Sequence, residues 1–472
     1  MFGFDFGSLS SGLIIAFAVV LIMTFAFEFV NGFHDTANAV ATVIYTKTLK
    51  PVHAVIWSGL CNFMGVLSSS YFLGLGAAVK IANLLPVESL MTQSSSQAAA
   101  MVLAVLLGAI IWNLGTWYFG IPCSSSHTLI GALLGVGLVY STLPENDAHA
   151  TVNWAKAIEI GQALLFSPMF GFAMAVVLMF VFRSVIQGEG KKALFKEPPS
   201  GDNPPPFWIR ILLVSTCTLV SFFHGMNDGQ KGLGLLMVAL ISFMPLNYSL
   251  SPNFDPSVAD QKLTLIQQNL PTDVTSTYAP KELRMVFLTI EDLKTDIKTA
   301  NDVKSRLGIR KRLNILDKNV KTLLDEPNII TNEAARKIIK KETSSMTALT
   351  HYVPNWAIAL ISIALGFGTM IGWKRIVVTI GEKIGKRHMT YAEGATAELV
   401  AATTIGLASL YSLPVSTTHV LSSGVAGAMV ASKGVKNLQR GTIANIALAW
   451  VLTLPASIIL SGGLYLLFRL FA

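Results

Sequence analysis

Residues 120–128 read G-I-P-C-S-S-S-H-T, and residues 412–420 read S-L-P-V-S-T-T-H-V. Each lies in apolar surroundings and spells proline, a spacer, three hydroxyl residues and a histidine. Proline suits the first turn of a helix, and serine or threonine beside it caps free backbone N–H groups. A helix that starts inside an apolar layer presents those N–H groups and the positive end of its dipole, which together favour an anion. A single copy would be read as capping, or as the hydroxyl contacts that join membrane helices. Two copies in register, ending in His127 and His419, point instead to a shared site. In it Ser124, Ser125, Ser126, Ser416, Thr417 and Thr418 would supply rotatable donors without net charge.

The composition sets the medium. Of 472 residues 52% are hydrophobic and only 13% are charged, and the mean hydropathy is +0.57. Apolar runs at 11–31, 52–78, 98–119, 158–182, 207–224, 354–373, 391–411 and 441–468 reach or approach the roughly 20 residues that cross a bilayer as helix. No Lys or Arg precedes Lys47, so the first run lacks the basic leader of a secretory signal and is read as a retained span. Cys61, Cys123 and Cys217 stand singly, with neither metal-ligand nor disulfide spacing. The net charge of +8 is carried mostly in loops, where positive charge sets membrane orientation, and nucleic acid is not expected as a partner.

Charge gathers in one interval. Residues 251–350 hold 16 Lys/Arg and 13 Asp/Glu, 29 of the chain's 62 charges, and read as a soluble helical insertion. Its apolar residues Val286, Leu293, Ile297, Leu307, Leu316, Val320 and Leu324 recur at helical intervals, with Pro327 and Asn332 as punctuation. The short loops 183–206, 374–388 and 432–440 are rich in Lys and Arg and are expected in the cytoplasm. Loops 79–97 and 142–157, the latter with Glu145 and Asp147, are expected outside. Both termini and the insertion then also lie outside, with 11–45 and 207–245 each crossing as a long, interrupted segment.

A second repeat fixes the organisation. N31-G-F-H-D-T-A-N-A-V-A-T42 resembles H224-G-M-N-D-G-Q-K-G-L-G234, with Asp35 and Asp228 matched at an offset of 193 (228 − 35). Ser124 and Ser416 match at 292 (416 − 124), and the excess of 99 agrees with the 108 residues of 246–353 standing where 46–51 has 6. The expected fold is therefore an all-α polytopic membrane protein of about 10–12 transmembrane segments. They form two inverted repeats with interrupted or re-entrant helices, plus the insertion. The segments are 1–182, a linker 183–206, 207–245, the insertion 246–353, and 354–472.

Ionisable groups within a membrane are expensive and usually functional. Asp35 and Asp228 would repel an oxyanion unless a cation travels with it, as a proton or as a divalent metal such as Mg²⁺ bound between carboxylate and anion. Both are thus candidate metal ligands. Asn38 offers a neutral ligand, and its matched residue Lys231 brings a fixed positive charge, or alternatively an ion-pair partner for Asp228 three residues back. Glu28, His34, His127, Asn227, Glu398 and His419 are candidates for coupling or proton transfer, and His224, at the edge of its motif, is the weakest.

At these four motifs the chain resembles the inorganic phosphate transporter (Pit) family, most closely its bacterial low-affinity branch. The resemblance implies import of inorganic phosphate across the bacterial inner (plasma) membrane by alternating access, with no cofactor and no enzymatic step. It places Asp35, Asn38, Asp228 and the two hydroxyl clusters around the anion. The sodium-coupled members carry G-x-N-D-x-A-N-A in both halves, whereas His34 here replaces the first Asn, and Gln230-Lys231 replaces Ala-Asn. An ammonium group at a sodium ligand's position would repel Na⁺, so proton symport is expected, with a neutral metal-phosphate complex as a candidate cargo. Sodium coupling and another oxyanion are the alternatives. An enzyme acting on phosphate esters, with Ser124 or Ser416 as nucleophile, is disfavoured by the symmetry of the half-sites. A homodimer is left open.

Overall fold

A backbone that leaves water must satisfy its N–H and C=O groups internally, and here it does so as helix. The computed structural model describes residues 10–82, 84, 95–144, 152, 154–198, 204–271, 280–300, 302–413 and 415–472, without the side chains of 36–38, 95 and 156. The Asn38 side chain, Pro414, Glu145 and Asp147 therefore lie outside the described residues. Among the described residues the β structure consists of an isolated antiparallel bridge between Gly385 and Leu438. The chain divides into two units, Met1–Ile14 with Val87–Ala98 and Met237–Pro354, and Ile15–Pro86 with Ala99–Leu236 and Asn355–Ala472.

The first run of helices is α1 (Ser11–Tyr45), α2 (Pro51–Ser68, prolonged by a π turn to Leu73), α3 (Gly76–Ala82), α4 (Ser95–Tyr118), α5 (Ser125–Thr142) and α6 (Trp154–Val185). A second run opens with α7 (Phe207–Phe243). The smaller unit follows with α8 (Pro256–Asn269), α9 (Lys281–Asp296), α10 (Val303–Asp325) and α11 (Glu333–Thr347). The second run resumes with α12 (Asn355–Thr369), α13 (Lys374–Val378, with a π turn Thr379–Lys383), α14 (Tyr391–Leu410), α15 (Thr417–Lys433) and α16 (Arg440–Phe468). The order of long, medium, short, medium, capped and long helices thus occurs twice.

The acidic motifs do not break their helices. α1 runs unbroken through Asp35 and α7 through Asp228, contrary to the interruption expected at their glycines. These glycines serve close approach instead. A Cβ on Gly32 would stand 2.4 Å from Leu365 O, and one on Gly225 would stand 2.2 Å from Asn62 O, so α12 and α2 lie directly against the motif helices. The contacts are reciprocal. A Cβ on Gly65 would meet Phe222 O at 2.1 Å and one on Gly368 would meet Phe29 O at 2.1 Å, and Phe222 and Phe29 stand at the same offset of 193 (222 − 29).

The interruptions lie ahead of the hydroxyl clusters, where Gly120 (φ 67°) and Ser412 (φ 54°) turn the chain through the left-handed region at matched positions. Each hydroxyl helix then packs on the last helix of the other run, α5 on α16 and α15 on α6. Gly131 and Gly135 admit the backbone at Leu454 and Ile458, and Gly427 admits Phe172.

Among the described residues six helical stretches are long and apolar enough to cross a membrane: Ser11–Tyr45, Pro51–Leu73, Ser96–Tyr118, Ala157–Val185, Phe207–Phe243 and Arg440–Phe471. The 15 residues of α12 and the 17 of α15 are too short to cross alone. Exposed Phe166, Phe170 and Phe180 on α6 and Leu448, Val451 and Ile459 on α16 give these helices lipid-compatible faces, while Asp35, Asp228 and Glu398 are buried. The smaller unit has its own core. Val286, Leu293, Ile297, Leu316 and Val320 are buried there with Leu263, Ile290 and Ile339, and Asp255, Asp302 and Asn332 cap α8, α10 and α11.

Candidate functional site

Asp35 sits in the C-terminal half of α1, Asp228 near the middle of α7, and the two helices bring their carboxylates to one buried point. His224, one helical turn before Asp228, stands between them: its Nε2 is 3.2 Å from Asp228 Oδ2 and 3.9 Å from Asp35 Oδ2. One ligand atom from each of the three residues lies within 4.8 Å of the others. The Nδ1 of His224 meets Asn62 Oδ1 at 2.7 Å. An amide oxygen accepts, so Nδ1 carries a ring proton, and Nε2 faces both carboxylates. With Nε2 unprotonated, the ring would be a metal ligand oriented by the Asn62 oxygen behind it. Asp228 Oδ1 is buried without a hydrogen-bond donor. Two carboxylates and an imidazole around one buried point form a donor set that fits a divalent metal.

Lys231 Nζ approaches Asp228 Oδ2 to 2.6 Å from the next turn of α7, with both side chains buried. His34 Nδ1 lies 3.2 Å from Asp35 Oδ1, and its Nε2 lies 3.1 Å from Thr116 Oγ1. The hydroxyl cluster of the second run closes the site, because Thr418 Oγ1 donates to Asp35 Oδ1 at 2.8 Å. An acidic motif from one run and a hydroxyl motif from the other thus share a direct bond.

The two clusters divide their labour. Ser124 Oγ accepts from His127 N at 3.2 Å and Ser416 Oγ from His419 N at 3.1 Å, so the first hydroxyl of each cluster caps its helix. Ser126 Oγ donates to Val415 O at 3.0 Å and ties the two breaks together. Ser125 Oγ is buried without a hydrogen-bond partner at the first turn of α5, a donor available to an anion at that helix start.

The Phosphate transporter family description matches residues 31–461. The chain belongs to that family. Over 97% of both chains it is 39% identical to the low-affinity inorganic phosphate transporter PitA of Escherichia coli (strain K12), and over 96% of both it is 40% identical to PitB of the same strain. A probable low-affinity inorganic phosphate transporter of Bacillus subtilis (strain 168) is 30% identical over 97% of this chain and 98% of its own. A solved sodium-dependent phosphate transporter covers 97% of this chain and 100% of its own, with a TM-score of 0.52 and 21% identity, a likeness of fold.

Within this family member the sequence candidates separate into several places. Asp35, Asp228, Lys231, His34 and Thr418 converge as described. His127 and His419 stack with ring centroids 4.5 Å apart, and His419 stacks on Trp450 at 4.1 Å. Asn227 does structural work at the second break, with Oδ1 accepting from Val415 N at 3.4 Å and Nδ2 donating to Leu413 O at 3.0 Å. Glu28 accepts from Asn31 Nδ2 at 3.3 Å and lies against Gly232, beside Lys231 in the chain. Glu398 is bonded to Thr42 and Thr216 and not to the aspartates. Sequence reasoning underrated His224. Its signal was the i,i+4 spacing to Asp228, which puts both on one helix face.

Proposed function

We propose that this protein imports inorganic phosphate across the bacterial plasma membrane as a proton symporter, by alternating access between two inverted runs of helices. Membership of the phosphate transporter family and its relatives' names support phosphate as cargo. The relatives are transporters, and no enzymatic step is proposed. The observation that carries the site is the convergence of Asp35, His224 and Asp228 beside Thr418, with Ser125 Oγ unpartnered at the start of α5.

In this reading phosphate enters with a divalent cation. Asp35, His224 and Asp228 hold the metal while Thr418, Ser125 and the N-terminal backbone of α5 and α15 receive the anion. A neutral complex lowers the cost of moving a dianion through an apolar layer. Lys231 supports proton rather than sodium coupling, since at the position matched to Asn38 it offers an ammonium, which has no lone pair to ligate Na⁺, in place of an amide oxygen. The Lys- and Arg-rich short loops support this orientation, in which both termini and residues 246–353 face the periplasm.

Radiolabelled phosphate uptake into proteoliposomes under imposed gradients tests this. An inward proton gradient should accelerate uptake, more so with Mg²⁺ present. Uptake that follows a sodium gradient and ignores the proton gradient would keep the phosphate carrier and overturn the coupling.

A further inference from the structure

Glu398 lies on α14, fully buried, and among the described residues it makes no ion pair. Thr42 of α1 meets one carboxyl oxygen and Thr216 of α7 the other, so a single acid bridges the helices that carry Asp35 and Asp228. The groups facing it are therefore uncharged: the two hydroxyls and the neighbouring Cys217 thiol, whose Sγ is 2.9 Å from Ala39 O. A carboxylate there would have no counter-cation in an apolar interior.

The hydrogen bonds also accommodate a neutral carboxyl. Thr216 Oγ1 contacts both Glu398 Oε2 and Leu213 O, the latter at 3.1 Å. A hydroxyl has one proton and two lone pairs. Leu213 O can only accept, so when that proton serves Leu213 O the contact with Glu398 needs a proton on the carboxyl. Glu398 O–H then donates to Thr216, and Thr216 O–H to Leu213 O, while Thr42 donates to the other carboxyl oxygen. Every partner is satisfied with Glu398 neutral.

We propose that Glu398 carries the coupled proton and acts as a latch between α1 and α7. Protonated, it joins the two helices as seen here. Losing its proton to water in another state, the carboxylate breaks the chain through Thr216 and releases the helices for the return step. The position matched to Glu398 in the first run is Leu106, so this latch exists once (398 − 292). The proposal rests on the proton-symport reading above.

Glu398→Gln tests it. Glutamine keeps a donor and an acceptor but cannot release a proton. In proteoliposomes the variant should lose pH-gradient-driven net uptake, by about tenfold or more for a blocked proton step, while exchange of internal for external phosphate continues with a flattened pH profile. Wild-type proton-driven uptake in Glu398→Gln would overturn the latch, and so would loss of exchange together with uptake in an inserted variant. If wild type itself is driven by sodium alone, the symport reading fails first, so the two failures are distinguishable. Labelling of wild-type protein with a lipophilic carbodiimide, mapped by mass spectrometry, does not depend on the variant's folding. Glu398 should be modified, less so at higher pH, and absence of its modification at any pH would overturn the proposal.

Discussion

The two acidic motifs occupy matched positions on α1 and α7, yet their neighbours are exchanged. Where α1 has Asn31, His34 and Asn38, α7 has His224, Asn227 and Lys231. His34 turns to its own Asp35, whereas Asn227 turns away to hold the second break and His224 reaches across both carboxylates. The helix contacts correspond: Gly32 and Gly225 admit α12 and α2 at equivalent positions. The repeat thus supplies the geometry of a shared site, while the departures from it bring an imidazole to each aspartate from a different position and a buried ammonium on one side only.

The largest effect should come from removing either carboxylate. Asp35→Asn and Asp228→Asn should each lower phosphate uptake by about 100-fold or more, as loss of a principal ligand does. Wild-type uptake in either, at equal membrane abundance, would break the shared site. The two variants should differ in stability. Asp228→Asn leaves Lys231 buried and unpaired, at a cost of about 3–5 kcal/mol. Its thermal transition in detergent should therefore lie well below that of Asp35→Asn, and Lys231→Asn added to Asp228→Asn should recover most of the loss.

Smaller effects probe the symmetric part. Gly32→Ala and Gly225→Ala should each destabilise by about 1–3 kcal/mol, since a Cβ meets backbone rather than a yielding side chain. A large inequality between them would argue against equivalent packing. Lys231→Asn alone restores the matched residue and should bring measurable stimulation of uptake by sodium.

The smallest effect lies in the insertion. Burial and the nearby Arg310 push the His351 imidazole down to about 4. It is neutral in the folded unit, and an unfolded chain takes up its proton below about 6.5. Stability of this unit should therefore fall as pH drops from 6.5 toward 4 and change no further through His351 below that. Hydrogen exchange confined to residues 246–353 would show it, and His351→Gln should flatten the dependence.

Much of this was legible in the sequence because repeats expose function. Asp35, Asp228 and Thr418 stood out by recurrence, and the insertion by its charge. What escaped was whatever occurs once or joins distant elements. His224 has Asn31 as its counterpart, so the repeat made it look peripheral. The bonds from Thr42 and Thr216 to Glu398 join three helices far apart in sequence, with no local pattern to signal them. That α1 and α7 run unbroken also escapes, because the sequence does not say whether a missing Cβ frees the backbone or makes room for another helix.

The most direct measurement is a structure with arsenate and a divalent metal bound, located by anomalous scattering. The arsenic peak should lie between Thr418 and the start of α5, with the metal against Asp35, His224 and Asp228. An arsenic peak remote from both aspartates would contradict the two-fold site.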